Sequence, residues 1–182
     1  NTGYLYHVSQ SFQYRFNSPE FLDLQAQIDD LRGDIDTALQ DFLVRERKIL
    51  ADIDEELIPV ADSLSRYLIN GGKRLRPLFA AAGLVGSGAM LDRASVNAIA
   101  TLELVHACAL IHDDVMDGSD TRRNKPAIHR LFQSLHDKSS YQGNSERFGL
   151  ASAILLGDLA LVWADRLLVE SGVTREEFIS AQ

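Results

Sequence analysis

Cysteine is almost absent from this chain: 182 residues contain one, Cys108, and it lies inside an apolar run. That excludes a disulfide framework and makes a reducing, cytoplasmic setting the expectation. Basic residues are outnumbered, 18 Lys and Arg against 26 Asp and Glu, for a formal net charge of −8. A general nucleic-acid binder is excluded, because a phosphate backbone demands a basic surface. No uninterrupted apolar run reaches about 18 residues, so no transmembrane segment is expected. Residues 1–17 lack the apolar core of a signal peptide, and the first residue is Asn rather than Met, so a trimmed or partial N-terminus is expected. Strict apolar–polar alternation never runs beyond about four residues, which argues against a sheet.

What the chain does have is apolar content, 46% of its residues, at a length that suits one domain. Residues 1–19 place Tyr4, Tyr6, Phe12, Tyr14 and Phe16 in a polar setting and read as an N-terminal arm; residues 20–182 read as the folded part. Phe21, Leu24, Ile28, Leu31, Ile35, Leu39 and Phe42 recur at steps of three and four, which predicts an amphipathic helix with a break near Gly33. Further helices are expected over Ile53–Leu68, over Leu75–Val85 with Pro77 at its first position, and over Leu91–His112 with Asp92 as cap. A short helix follows over Ala127–Leu135, a long apolar one over Phe148–Val169, and another starts near Val173. The segment 118–126 reads as a loop. The fold class is therefore all-α. Residues 98–111 and 150–163 are apolar nearly all round, so they belong inside a multi-helix bundle or at a subunit interface. The last expected helix has no stop signal, which suggests a fold truncated at its C-terminal side.

The densest chemistry is Asp113-Asp114-Val115-Met116-Asp117 at the end of the most apolar helix. Asp113 and Asp117 fall one turn apart on one face, where like charges repel by a few tenths of a kcal/mol. A hard cation such as Mg²⁺ removes that repulsion and keeps other coordination positions for water or phosphate oxygens. Arg122 and Arg123 follow, and guanidinium forks suit phosphate. An adjacent arginine pair is usually just an exposed turn; beside an aspartate triad, phosphate binding is the stronger reading. Gly71-Gly72-Lys73-Arg74-Leu75-Arg76-Pro77 is the second signal, a tight turn leading into a helix N-terminus with Lys73 and Arg76 at its mouth. Alone it would equally describe a glycine-capped helix followed by a solvated basic turn. His106 lies two turns before Asp113 on the same face, with Glu103 one turn further back. A lone His on an apolar helix is more often a core residue, but this position favours a diphosphate ligand. His112 reads as structural, Lys125, His129 and Arg130 as surface or supporting residues, Asp120 as a loop cap and Asp158 as an interhelical hydrogen-bonding residue.

The three segments GGKRLRP, ELVHACALIHDDVMD and TRRNKP, in this order and spacing, resemble the trans-prenyl diphosphate synthases, or polyprenyl synthetases. Residues GDLAL from Gly157 also resemble that family's following helix. The resemblance runs from about Ala38 to the end, and it implies a helical bundle of the isoprenoid synthase type. It further implies head-to-tail condensation of an allylic diphosphate with isopentenyl diphosphate, dependent on Mg²⁺ and carried out by a homodimer. By this resemblance Asp113 and Asp117 bridge Mg²⁺ to the allylic diphosphate, with Asp114 assisting. Arg122 would hold the allylic diphosphate, while Lys73, Arg76, His106 and Arg123 would form the isopentenyl diphosphate pocket. The positions four and five before the motif, Ala109 and Cys108, would set product length. Both are small, which implies a C20 or longer product, geranylgeranyl-type favoured.

One departure is plain: the family carries a second aspartate-rich motif on a later helix, and none follows Asp117 here. Half of a catalytic cavity, with doubtful activity on its own, is the expectation. The rivals are a non-catalytic partner subunit of a synthase, a metal-dependent phosphohydrolase using His112-Asp113, and a terpene cyclase. Two basic clusters speak against the last, and the scarcity of histidine against the second.

Overall fold

The structure is a computed structural model, and it describes residues 19–69 and 72–174. Most of the expected arm, Gly71 of the glycine turn and the helix expected after Thr174 lie outside the described residues. The chain divides into two compact units, 1–34 and 35–182. In the first, the described residues belong to the opening turns of helix α1 (Pro19–Ile53). Its exposed side chains pair along the helix, Arg32 with Asp29 at 2.6 Å and Gln27 with Asp23 at 2.8 Å, the one-turn neighbours that helical geometry brings together. Gly33 does not interrupt α1; one glycine costs a helix only about 1 kcal/mol.

In the second unit α1 continues, followed by a single tight turn (Glu55–Leu57) and helices α2 (Ile58–Ile69), α3 (Leu75–Gly86) and α4 (Arg93–Met116). A two-residue hairpin, β1 (Thr121–Arg122) with β2 (Lys125–Pro126), leads to α5 (Ile128–Lys138) and α6 (Ser145–Glu170). The helical class is as the sequence reading has it, and the hairpin is its single small departure among the described residues. The 54–57 turn is set by Asp54, whose carboxylate accepts from the Glu56 amide at 2.9 Å. Asp92 caps α4 as expected, accepting from the Ser95 amide at 2.8 Å, and Asn144 caps α6 in the same way. Pro77 is the third residue of α3, not the first. It is tolerated there because first-turn amides have no helical acceptor in any case.

The core is built on α4 and α6. Along α6 the buried residues are Gly149, Ala153, Leu156, Gly157, Ala160, Trp163, Ala164 and Leu167, a narrow stripe of mostly small side chains. The stripe lets α4 and α5 approach closely. A Cβ on Gly157 would overlap the His112 ring, and one on Gly149 would overlap the His129 carbonyl. Phe42 of α1 meets Trp163 edge-on at 5.9 Å, and Ile35, Leu39, Leu64, Leu104 and Ile111 are fully enclosed. The opposite face of α6 carries Ile154, Leu155, Leu161 and Val162 exposed, so within this chain only the inner stripe of the helix is buried. By length and composition alone α4 and α6 could each cross a membrane, a test that core helices packed on one another also pass.

Candidate functional site

Helix α4 carries the acidic motif to its last turn and stops there. Gly118 takes the left-handed conformation, φ 64°. The Ser119 amide then reaches back to the Asp114 carbonyl at 2.9 Å and the Gly118 amide to Val115 at 3.4 Å. This is a glycine-dependent helix stop, and it leaves three carboxylates at the negative end of the helix dipole, where anions are least favoured. Repulsion and dipole together favour a cation at this place. Asp113 and Asp117 are exposed, whereas Asp114 is buried.

The cation present in the fold is Arg122. Its Nε donates to both oxygens of Asp114 at 2.9 Å, and its Nη2 lies 2.8 Å from Asp114 Oδ1 and 3.2 Å from Asp113 Oδ2. The hairpin delivers it. Arg123 and Asn124 both have positive φ, 52° and 60°, the two-residue reversal whose twist matches paired strands. Arg122 pairs with Lys125 across it, so the reversal holds Arg122 over α4. Asp114 raises the Arg122 pKa further above its ordinary value.

The glycine turn is organised by a residue the sequence reading leaves unassigned, Arg74. It is buried, with φ 50°, and its guanidinium donates to Glu103 at 2.8 Å, Asp36 at 2.7 Å and the Leu68 carbonyl at 2.9 Å. Burial works against its charge, and the hydrogen bonds to Glu103 and Asp36 more than offset this. A Cβ on Gly72 would stand 2.8 Å from Arg74 Nη1, so the glycine leaves room for this buried pair. Glu103 is thus spent on Arg74. Lys73 and Arg76 remain exposed at the start of α3. His106 is half-buried, and burial, then Arg76, Arg123 and Arg122, push its pKa below the usual imidazole range. The basic turn, the arginine pair and the imidazole therefore share one positive field. Among the described residues no hydrogen bond or ion pair joins Lys73 to it.

Cys108 is buried with its thiol 3.8 Å from His112 Nδ1, and Ala109 is exposed. His112 Nε2 donates to the Ile154 carbonyl at 3.1 Å and lies 3.6 Å from Asp158, which suits the structural reading of His112 and the interhelical reading of Asp158. Arg130 pairs with Asp120 at 2.7 Å. Of the two places open to His129, the surface or a supporting role, the structure excludes the first: it is buried. Tyr67 is a residue that sequence reasoning misses: its hydroxyl is buried and has no hydrogen-bond partner among the described residues. It looks like one more apolar position of α2 in the sequence.

The sequence pattern of the polyprenyl synthetases matches residues 58–180. The chain belongs to the polyprenyl synthetase family. Among curated members it is 40% identical over 130 residues to the geranylgeranyl diphosphate synthase of Methanosarcina mazei, covering 67% of this chain and 34% of that protein. It is 30% identical over 164 residues to the geranylfarnesyl diphosphate synthase of Natronomonas pharaonis, 79% of this chain and 43% of the other. A solved geranylgeranyl pyrophosphate synthase from Corynebacterium glutamicum, complexed with isoprenyl diphosphate and magnesium, superposes with a TM-score of 0.75 at 37% identity, over 84% of this chain and 44% of that one. The chain thus spans between a third and a half of these family members, and its bundle is of the isoprenoid synthase type.

Proposed function

We propose that this chain supplies the first metal-binding and diphosphate-binding half of a prenyl diphosphate synthase that makes all-trans products of C20 or longer. The observation that carries the reading is the end of α4, where Asp113 and Asp117 stay exposed while Arg122 is held on Asp114. The donor set fits Mg²⁺, an ion bound through one or two carboxylates that keeps waters or phosphate oxygens in its other positions: Asp113 and Asp117 are hard carboxylates one turn apart at the negative end of a helix. Asp113 and Asp117 would hold the ion, and the ion would neutralise the leaving diphosphate of the allylic substrate. Asp114 is read as acting through Arg122, fixing the guanidinium where that diphosphate lies.

Condensation breaks the allylic carbon–oxygen bond, joins the allylic carbon to the terminal alkene carbon of isopentenyl diphosphate, and ends with proton loss. This chain's residues would bind and orient. Arg122 takes the allylic diphosphate, and Lys73, Arg76, His106 and Arg123 take that of isopentenyl diphosphate. Holding two anions side by side needs such a field, since it lowers their mutual repulsion and fixes reactive geometry. The small pair Cys108 and Ala109 leaves space along α4 for a growing chain. The exposed apolar face of α6 suits a homodimer, and the single, unpaired Cys108 suits the cytoplasm. Incubating the whole protein with dimethylallyl and isopentenyl diphosphates and Mg²⁺ tests the reading. Chain-elongated diphosphates support it; release of inorganic phosphate or of a hydrocarbon refutes it.

A further inference from the structure

The hairpin that carries Arg122 has two residues in each strand, Thr121–Arg122 against Lys125–Pro126. A lone pair of strands is at best marginally stable in water, so the direction in which Arg122 points depends on what fastens the hairpin's base. At that base stands Asp120. Its carbonyl accepts from the Ala127 amide at 2.9 Å and closes the ladder. Its carboxylate accepts from Arg130 Nε at 2.7 Å, and the imidazole of the buried His129 lies beside it, Nε2 3.9 Å away. Arg130 is steadied from its own helix, where Nη1 donates to Gln133 Oε1 at 2.7 Å. The first turn of α5 is in turn seated on α6, because Gly149 has no side chain to keep the His129 carbonyl away. A line of contacts thus runs from α6 through α5 and Asp120 into the hairpin, and from Arg122 onto Asp114.

The Asp120–Arg130 pair does little for the stability of the fold. Asp120 is 64% exposed and Arg130 37%, and ion pairs screened by solvent contribute little. Placement is another matter. Arg122 stands two residues from Asp120, and a guanidinium already held in one orientation loses less freedom when it meets an anion. We propose that Asp120 is a positioning residue, acting through Arg130 and the base of the hairpin to hold the Arg122 guanidinium on Asp114 and toward the allylic diphosphate. The hold on Arg122 stands on this chain's own contacts, whereas its bearing on the allylic diphosphate rests on the function proposed above.

Exchange of the Arg122 Nε–H proton with water, followed by NMR in the whole protein, tests the hold directly. That proton is tied to both oxygens of Asp114 and should exchange slowly. In Asp120→Ala its exchange should quicken about threefold to fivefold. The Arg74 Nε–H, held by Asp36, should keep its rate. Asp120→Glu should restore slow exchange at Arg122, since a carboxylate remains for Arg130. Adding Arg130→Ala to Asp120→Ala should quicken it no further, because the two residues act as one unit. Steady-state kinetics give the second readout: in Asp120→Ala, KM for the allylic diphosphate rises about threefold to fivefold while kcat stays within twofold. An Arg122 rate that Asp120→Ala leaves unchanged overturns the proposal. So does a rise shared by Arg74, which marks general loosening, and so does an unchanged KM. Unsubstituted protein that elongates no allylic diphosphate counts instead against the proposed function, and the exchange comparison still decides whether Asp120 holds Arg122.

Discussion

The guanidinium of Arg122 covers both oxygens of Asp114, with Nε at 2.9 Å from each, and touches Asp113 from the same side at 3.2 Å. Two neighbouring aspartates of one motif are therefore in different physical states, one buried and paired and the other mostly open to solvent. Their substitutions separate accordingly. Asp114→Asn weakens a charged, buried hydrogen-bond pair and is expected to cost about 1–3 kcal/mol in urea denaturation. Asp113→Asn is expected to change stability by less than about 0.5 kcal/mol and to abolish Mg²⁺-dependent diphosphate binding in calorimetry.

Gly72→Ala places a methyl group against the Arg74 guanidinium, which three hydrogen bonds hold still. The expected loss is about 1–3 kcal/mol. Gly83, inside α3, has open space at its Cβ position. Gly83→Ala should be neutral or stabilise by about 0.5–1 kcal/mol. Thermal melts of the two variants should move in opposite directions or differ by several degrees.

His106 is expected to titrate below the ordinary imidazole range, because burial and then Arg76 disfavour its charged form. For a group whose folded pKa is depressed in this sense, the unfolded chain binds the proton first. The stabilisation it gives is complete above the unfolded pKa, about 6.5, and is lost as the pH falls. Diphosphate bound beside it should raise its pKa. An NMR titration with and without the anion reads this directly, and an unchanged midpoint would remove His106 from the anion site.

Glu46 behaves in the opposite sense. It is buried, one of its oxygens lacks a partner among the described residues, and burial raises its pKa despite Arg166 at 3.2 Å. The folded state keeps this proton longer than the unfolded one, so stability should fall as the pH rises from the usual carboxylate range, about 4.5, through the raised value. Glu46→Gln should flatten that slope in urea midpoints measured from pH 4 to 7.

Ala109→Phe should shorten the product, because an aromatic ring at an exposed position of α4 just before the acidic motif occupies the space proposed for the growing chain. Mass analysis of the reaction products checks it. Undiminished chain length would move the limit elsewhere along the cavity.

Helix positions were legible where the signal is local. The period of Ile35, Leu39 and Phe42 and the Asp92 cap each act within a turn of themselves, and a spacing argument captures that. The aspartates and the basic pair were legible because charged residues packed this densely have few structural uses. What stayed hidden depended on distant parts of the chain. Arg74 reads as one more basic residue of a turn until α1 and α4 supply Asp36 and Glu103. Tyr67 reads as core until the hairpin places Arg122 near it. The hairpin itself rests on two positive φ values at Arg123 and Asn124, and arginine gives no warning of the first. Helix α4 runs on to Met116, past the expected end at His112, since polar residues continue a helix until left-handed Gly118 ends it, and α6 starts at Ser145, ahead of the expected Phe148, because Asn144 caps it there.

The imidazole of His112 sits where Gly157 has no side chain and spends its Nε2 on the Ile154 carbonyl. It works as a key in a slot. Sliding α6 along α4 by one residue would drive a side chain into the ring and break the carbonyl bond at once, so the two helices share a fixed phase. Substitutions along α4 are then confined to trimming or enlarging individual side chains. The wall is not free to shift, and the carboxylates at the end of α4 keep their place relative to α6 whatever side chains change along it.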